Sequence, residues 1–134
     1  MKSVELEVEN RGRHVLDLTD RAAAFAAEAG GDGLLHVFVP HATAGLVVME
    51  TGAGSEEDLE EALGRLLPRD DRYVHRHGSR GHGADHLLPL LAGPSLSVPV
   101  QDGRLALGTW QRICLLDLND DNPRRRVRLS FLAA

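Results

Sequence analysis

Residues 3 to 9, Ser-Val-Glu-Leu-Glu-Val-Glu, alternate polar and apolar with period two, which predicts a strand with one wet face. Asn10-Arg11-Gly12 reads as a turn, and alternation resumes over Arg13 to Leu18, so a β-hairpin is expected at the N-terminus. Thr19 or Asp20 can cap the Ala-rich stretch Arg21 to Ala29, which predicts a helix of about three turns ended by Gly30-Gly31. Leu34 to Val39 and Gly45 to Met49 are rich in β-branched and apolar residues, and predict two central strands joined through Pro40-His41-Ala42-Thr43-Ala44. A second helix is expected from Ser55: Glu56, Glu57 and Asp58 suit its first turn, Leu59, Ala62, Leu63, Leu66 and Leu67 form one stripe, and Pro68 ends it.

The stretch Arg69 to Gly83 is charged and rich in His and Gly, a loop longer than most connections and therefore functional or mobile. Ala84 to Leu91 predicts a short helix interrupted near Pro89. Ser95 to Val100, Gly103 to Leu107, Thr109 to Leu118 and Arg126 to Leu132 predict further strands. With no repeat or linker, residues 1–134 read as a single domain. Runs of consecutive strands with two to three helices favour an α+β class: a mixed, mostly antiparallel, sandwich-like sheet rather than a doubly wound one.

Composition narrows the function classes. At 43% hydrophobic and 26% charged, the chain has ordinary globular values, and its apolar runs are too short to cross a membrane. The N-terminal Met-Lys-Ser-Val-Glu-Leu-Glu lacks the apolar stretch of a signal peptide, so a soluble, cytoplasmic protein is expected. A net charge of −5 argues against nucleic acid and membrane as partners. The lone Cys114, in a strand-like context, reads as a buried reduced thiol, which leaves nitrogen and oxygen as the donors for any metal.

Histidine is the unusual residue: there are seven, four of them between positions 75 and 86. His41 directly follows an apolar strand, where a rigid support can present an imidazole as ligand or base; the alternative is a solvated loop residue. His75 and His86 flank the long loop, and with His41 they would make a three-imidazole set with an open coordination position, or else stay solvated. His77 and His82 are expected to be exposed, His36 packed within its strand, and His14 half-exposed in the hairpin. Glu50, at a strand end, is a candidate base or supporting carboxylate. Thr109, Trp110 and Gln111 follow Gly108 and offer donors, acceptors and a flat face, or alternatively a bulge with a core Trp. The basic run Arg124-Arg125-Arg126 reads as an exposed strand start.

Taken together, Pro40-His41-Ala42-Thr43-Ala44-Gly45-Leu46, Glu50, Tyr73-Val74-His75, His86, Gly93-Pro94-Ser95-Leu96 and the block Gly103 to Gln111 resemble the YjbQ family over nearly the whole chain. The resemblance implies weak thiamine-phosphate synthase activity, in which hydroxymethylpyrimidine diphosphate couples to thiazole phosphate with loss of pyrophosphate. It also implies a compact mixed α/β fold, a homotrimer with sites near subunit boundaries, and a small phosphorylated heterocyclic ligand. His41, His75 and His86 would then gather around a divalent metal such as zinc, with Glu50 joining them as catalytic groups. Thr43, Thr109, Trp110 and Gln111 would line the same pocket.

Two departures from the family pattern stand out. Met49-Glu50-Thr51 replaces a common Asn-Glu-Asn, and His86-Leu87-Leu88-Pro89 lacks the usual Lys. They leave two alternatives to the synthase: a non-catalytic module binding a metal or a small phosphorylated ligand, and a metal-dependent phosphoester hydrolase.

Overall fold

The computed structural model describes residues 1–134. Eight strands and three helices follow in the order β1 (Lys2–Glu9), β2 (Val15–Asp17), α1 (Thr19–Ala29), β3 (Gly33–Phe38), β4 (Gly45–Met49), α2 (Ser55–Leu66), α3 (His82–Leu87), β5 (Ser95–Gln101), β6 (Arg104–Leu105), β7 (Arg112–Leu116) and β8 (Arg124–Ala133), with a single 3-10 turn at Leu88–Leu90. A five-stranded sheet runs β1-β8-β3-β5-β6 and a three-stranded sheet runs β2-β7-β4, every pairing antiparallel. The expected α+β class is therefore observed, and no helix is long and apolar enough to cross a membrane.

The sheets pack face to face. Leu35, Val37, Val98, Val127 and Leu129 of the large sheet meet Leu46, Ile113 and Leu115 of the small one, and Ala22 and Ala26 of α1 close one side. Burying each of the larger side chains stabilises the fold by about 1.5–3 kcal/mol. The other face of β7 is covered too: Leu116 packs with Leu63 of α2, Leu88 and Ala92. Burial on both faces explains why Ile113-Cys114-Leu115-Leu116 is apolar without alternation. Cys114 is the buried thiol expected, and burial pushes its pKa up to about 12.

Three expectations are corrected. The N-terminal strands form no hairpin, because β1 pairs with β8 and β2 with β7 in the other sheet. The register gives the reason: Glu5, Glu7 and Glu9 stand opposite Arg128, Arg126 and Arg124, a ladder of unlike charges that β2 cannot offer. β3 is central as expected, whereas β4 is an edge strand of the small sheet, so the Pro40–Ala44 corner carries the chain from one sheet to the other. Finally, the basic run is only partly exposed. Arg124 and Arg126 face solvent, but the intervening Arg125 turns inward and is 3% exposed.

Candidate functional site

His75, His77, His82 and His86 converge, with one ring nitrogen from each lying within 4.8 Å of all the others. Local structure explains the convergence. His82 and His86 are spaced i, i+4 on α3 and share its face. His75 and His77 are two apart in the irregular segment before it, their ring centroids 4.1 Å from each other. Gly83 lets the two pairs meet, since a β-carbon there would stand 2.7 Å from Tyr73 Cβ and 2.8 Å from the His75 carbonyl. The His75 and His86 ring centroids end 4.3 Å apart, and the Nε2 atoms of His82 and His86 2.9 Å apart.

The cluster is held from behind. Asp121 accepts hydrogen bonds from the Ser79 N–H and hydroxyl, at 3.0 and 3.1 Å, and stands 3.1 Å from His82 Nδ1. The Ser79 N–H first, then its hydroxyl and His82, hold the Asp121 carboxyl below the usual range, so it is ionised at neutral pH. Asn119 Oδ1 accepts from the Asp121 N–H, which orients the amide so that Nδ2 donates to Asp85 and lies 2.9 Å from His82 Nδ1. Buried Asp85 is also bound by both Nη atoms of Arg69. His82 Nδ1 thus has two options: it accepts from Asn119, or it carries the proton and donates to Asp121, leaving Nε2 bare.

Loss of water from the packed rings, followed by the charge of neighbouring imidazoles, holds the pKa of His75 and His86 below the usual histidine value. Neutral imidazoles with free lone pairs are the form that binds a metal. A tetrahedral ion bound at about 2.0–2.1 Å needs nitrogens roughly 3.3–3.4 Å apart, so on binding the 2.9 Å His82–His86 pair would open and the wider separations would close. A carboxylate behind a ligating imidazole is a common support. Arg76 and Arg80 border the adjoining cavity of about 200 Å³.

The expected three-histidine set is not assembled within one chain. His75 and His86 come together, but with His77 and His82 in place of His41. His82 was expected to be exposed and is 7% exposed, a correction that its contacts with Asn119 and Asp121 explain. His41 lies at the corner, where its Nε2 accepts the Arg126 N–H at 2.9 Å, so that lone pair is committed to the backbone. The cavity His41 lines includes none of the four clustered imidazoles. Burial first, then the charges of Arg125 and Arg126, hold the His41 pKa below its usual value.

The other expected residues are also separated. Thr43 is buried and accepts from Arg125 Nη2 at 2.8 Å, while Arg125 grips Asp117 through two contacts of 2.7 and 2.9 Å. Residues 41 and 43 flank the Gly45/Leu116 end of the β4–β7 pair, whereas Glu50 and Thr109-Trp110-Gln111 flank the Met49/Arg112 end. Strand rise puts those ends roughly 14 Å apart. Glu50 is exposed, Trp110 is 72% exposed rather than core, and Gln111 Oε1 closes the turn by accepting the Gly108 N–H at 2.7 Å. The two cluster members not expected from the sequence had a signal there, His-x-His followed by His-x-x-x-His, each spacing placing its pair on one side of an extended or helical segment.

A UPF0047 protein of Mycobacterium tuberculosis is 63% identical over 127 residues, covering 95% of each chain. The UPF0047 protein YugU of Bacillus subtilis is 30% identical over 129 residues, covering 95% of this chain and 94% of its own. Among solved structures, a hypothetical protein of Aeropyrum pernix superposes with a TM-score of 0.90 at 33% identity over the full length of both chains. A YjbQ/UPF0047 family protein of Clostridium acetobutylicum gives 0.87 at 26% identity, covering 96% of this chain and 99% of that one. The family model described as UPF0047 protein YjbQ-like matches residues 4–134, and the chain belongs to that family.

Proposed function

We propose that His75, His77, His82 and His86 bind a divalent transition metal such as zinc, and that the protein acts beside it on a small phosphorylated heterocycle. The supporting observation is the convergence of four imidazole nitrogens within 4.8 Å, backed by the ionised Asp121. Elemental analysis and zinc titration of the purified protein test the metal. His82→Ala and His86→Ala should lose it while circular dichroism stays unchanged. Well-folded wild-type protein that neither carries nor takes up metal would sink the reading.

The weak thiamine-phosphate synthase activity implied by the family resemblance is the reaction proposed, with the metal stabilising departing pyrophosphate. Absence of thiamine phosphate from the two phosphorylated precursors, at any protein excess, removes it. One observation favours a non-catalytic binding module instead: four imidazoles complete a tetrahedral shell and leave zinc no open position. Tight ligand binding without product would select that module.

A homotrimer is proposed on the same resemblance. Leu34 and Leu132 stand opposite one another on the outer face of the large sheet and leave apolar surface exposed there, and burying it between subunits is the assembly expected. Sedimentation equilibrium reads the outcome, and a monomer at all concentrations refutes it.

A further inference from the structure

Positive charge gathers where the β1–β2 turn, the start of α1 and the start of β8 meet. A cavity of about 830 Å³ there is bordered by Arg11, Arg13, Arg21, Arg124 and Arg126, with His41 beside them. Arg125 also borders it, but its guanidinium is committed to Asp117 and Thr43. The carboxylates present are Glu7, Glu9 and Asp17. Glu9 is shared between Arg11 at 3.3 Å and Arg124 at 3.7 Å, and Asp17 is already paired with Arg112 at 2.7 Å. Arg13 has no carboxylate partner, and Arg21 donates only to the Glu7 carbonyl, at 3.2 Å. The cavity is therefore cationic in a chain whose net charge is −5, so folding has concentrated guanidinium groups against the overall balance.

Two further features give the cavity chemical selectivity. Because His41 Nε2 accepts the Arg126 N–H, the neutral ring carries its proton on Nδ1, a donor with no partner inside the chain. Val8, Leu16 and Leu18 supply an apolar floor. Guanidinium forks match phosphate oxygens in pairs, and a concave surface focuses their field.

We propose that this cavity binds a small, multiply charged phosphate compound with a compact apolar body, at a site separate from the four-histidine cluster. Recognition of the phosphate stands on the cavity alone; only the identity of the organic body rests on the phosphorylated-heterocycle reading above. Arg13 and Arg21 make the main contacts, Arg11 and Arg124 swing from Glu9 to share the anion, and no metal is required.

The test is calorimetric titration of inorganic pyrophosphate into protein stripped of metal by EDTA and dialysed, in about 0.15 M NaCl so that loose surface charge is screened. Saturable binding at a single site per chain is expected. Arg13→Gln/Arg21→Gln, both exposed and free of ion pairs, should weaken it by about tenfold or more. His82→Asn, which removes a cluster imidazole, should leave it unchanged. The proposal is overturned if metal-free protein shows no saturable binding at millimolar pyrophosphate, if the double variant binds as wild type, or if His82→Asn abolishes binding. None of these outcomes bears on zinc uptake, so the two sites fail or survive separately.

Discussion

The corner at His41 and the loop carrying His75 to His86 both present imidazoles, and they use them in opposite ways. At the corner the polar groups are linked inside the chain: His41 to the Arg126 N–H, Thr43 to Arg125, and Arg125 to Asp117. In the loop the imidazoles face one another, and Asp121, Asn119 and Asp85 support them from behind. A histidine at a strand end is thus recruited to hold a crossover between sheets, while histidines on a short helix and its leader turn their rings toward one another. Rigidity alone does not identify a binding residue; what matters is whether its lone pair is already occupied.

The largest expected effect breaks the corner. Asp117→Ala leaves the Arg125 guanidinium buried and unpaired, and should cost about 3–5 kcal/mol in chemical denaturation. A loss under about 1 kcal/mol would mean that the corner does not depend on this pair. Next comes the loop: zinc at about 100 times its dissociation constant should stabilise the wild type by up to about 2.7 kcal/mol. His82→Ala should abolish that gain and His41→Ala should preserve it. If His41→Ala abolishes it instead, the two regions are not distinct.

Asp121→Asn sharpens the contrast, because the loop then loses the carboxylate that can accept from His82 Nδ1–H and so favours the tautomer with Nε2 bare over the one that accepts from Asn119. Metal affinity should fall by about 10–100-fold, read by competition with a chromogenic chelator, and unchanged affinity would assign Asp121 only to holding Ser79. The smallest effect is a pH slope. The His41 pKa is lowered from 6.5 on folding, so the unfolded chain takes up its proton first. Its contribution is complete above the unfolded value and is lost as pH falls through the lowered folded one. In a denaturation series below pH 6.5, His41→Gln should lose stability less steeply than the wild type. Equal slopes would show that the corner does not feel this proton.

Much of the fold was legible in local pattern. The stripe from Leu59 to Leu67 placed α2, and the strand over residues 45–49 was read with its observed ends. The partner of β1 was not, because the arginines that select it lie some 120 positions away and alternation says nothing of which strand lies alongside. The site divides similarly. The loop that His75 and His86 flank marks them in the sequence; the expectation of exposure holds for His77 and fails for His82, and the spacings that put each on the same side as its neighbour are the signal that joins them to the set. What hides in the sequence is long-range support: Asp121 and Asn119 belong to the connection between β7 and β8, and only the folded chain brings them behind His82.

All four clustered imidazoles fall within the twelve residues from His75 to His86. A set this local does not wait for the sheets: the unfolded chain already holds the four imidazoles on one short tether, and closing so small a loop costs little entropy. Metal should therefore bind the denatured chain measurably, trimming the stabilisation it gives the native state. It should also order this segment early in refolding, before β1 has found β8, so that added zinc accelerates protection of the 75–86 amides ahead of those in the strands.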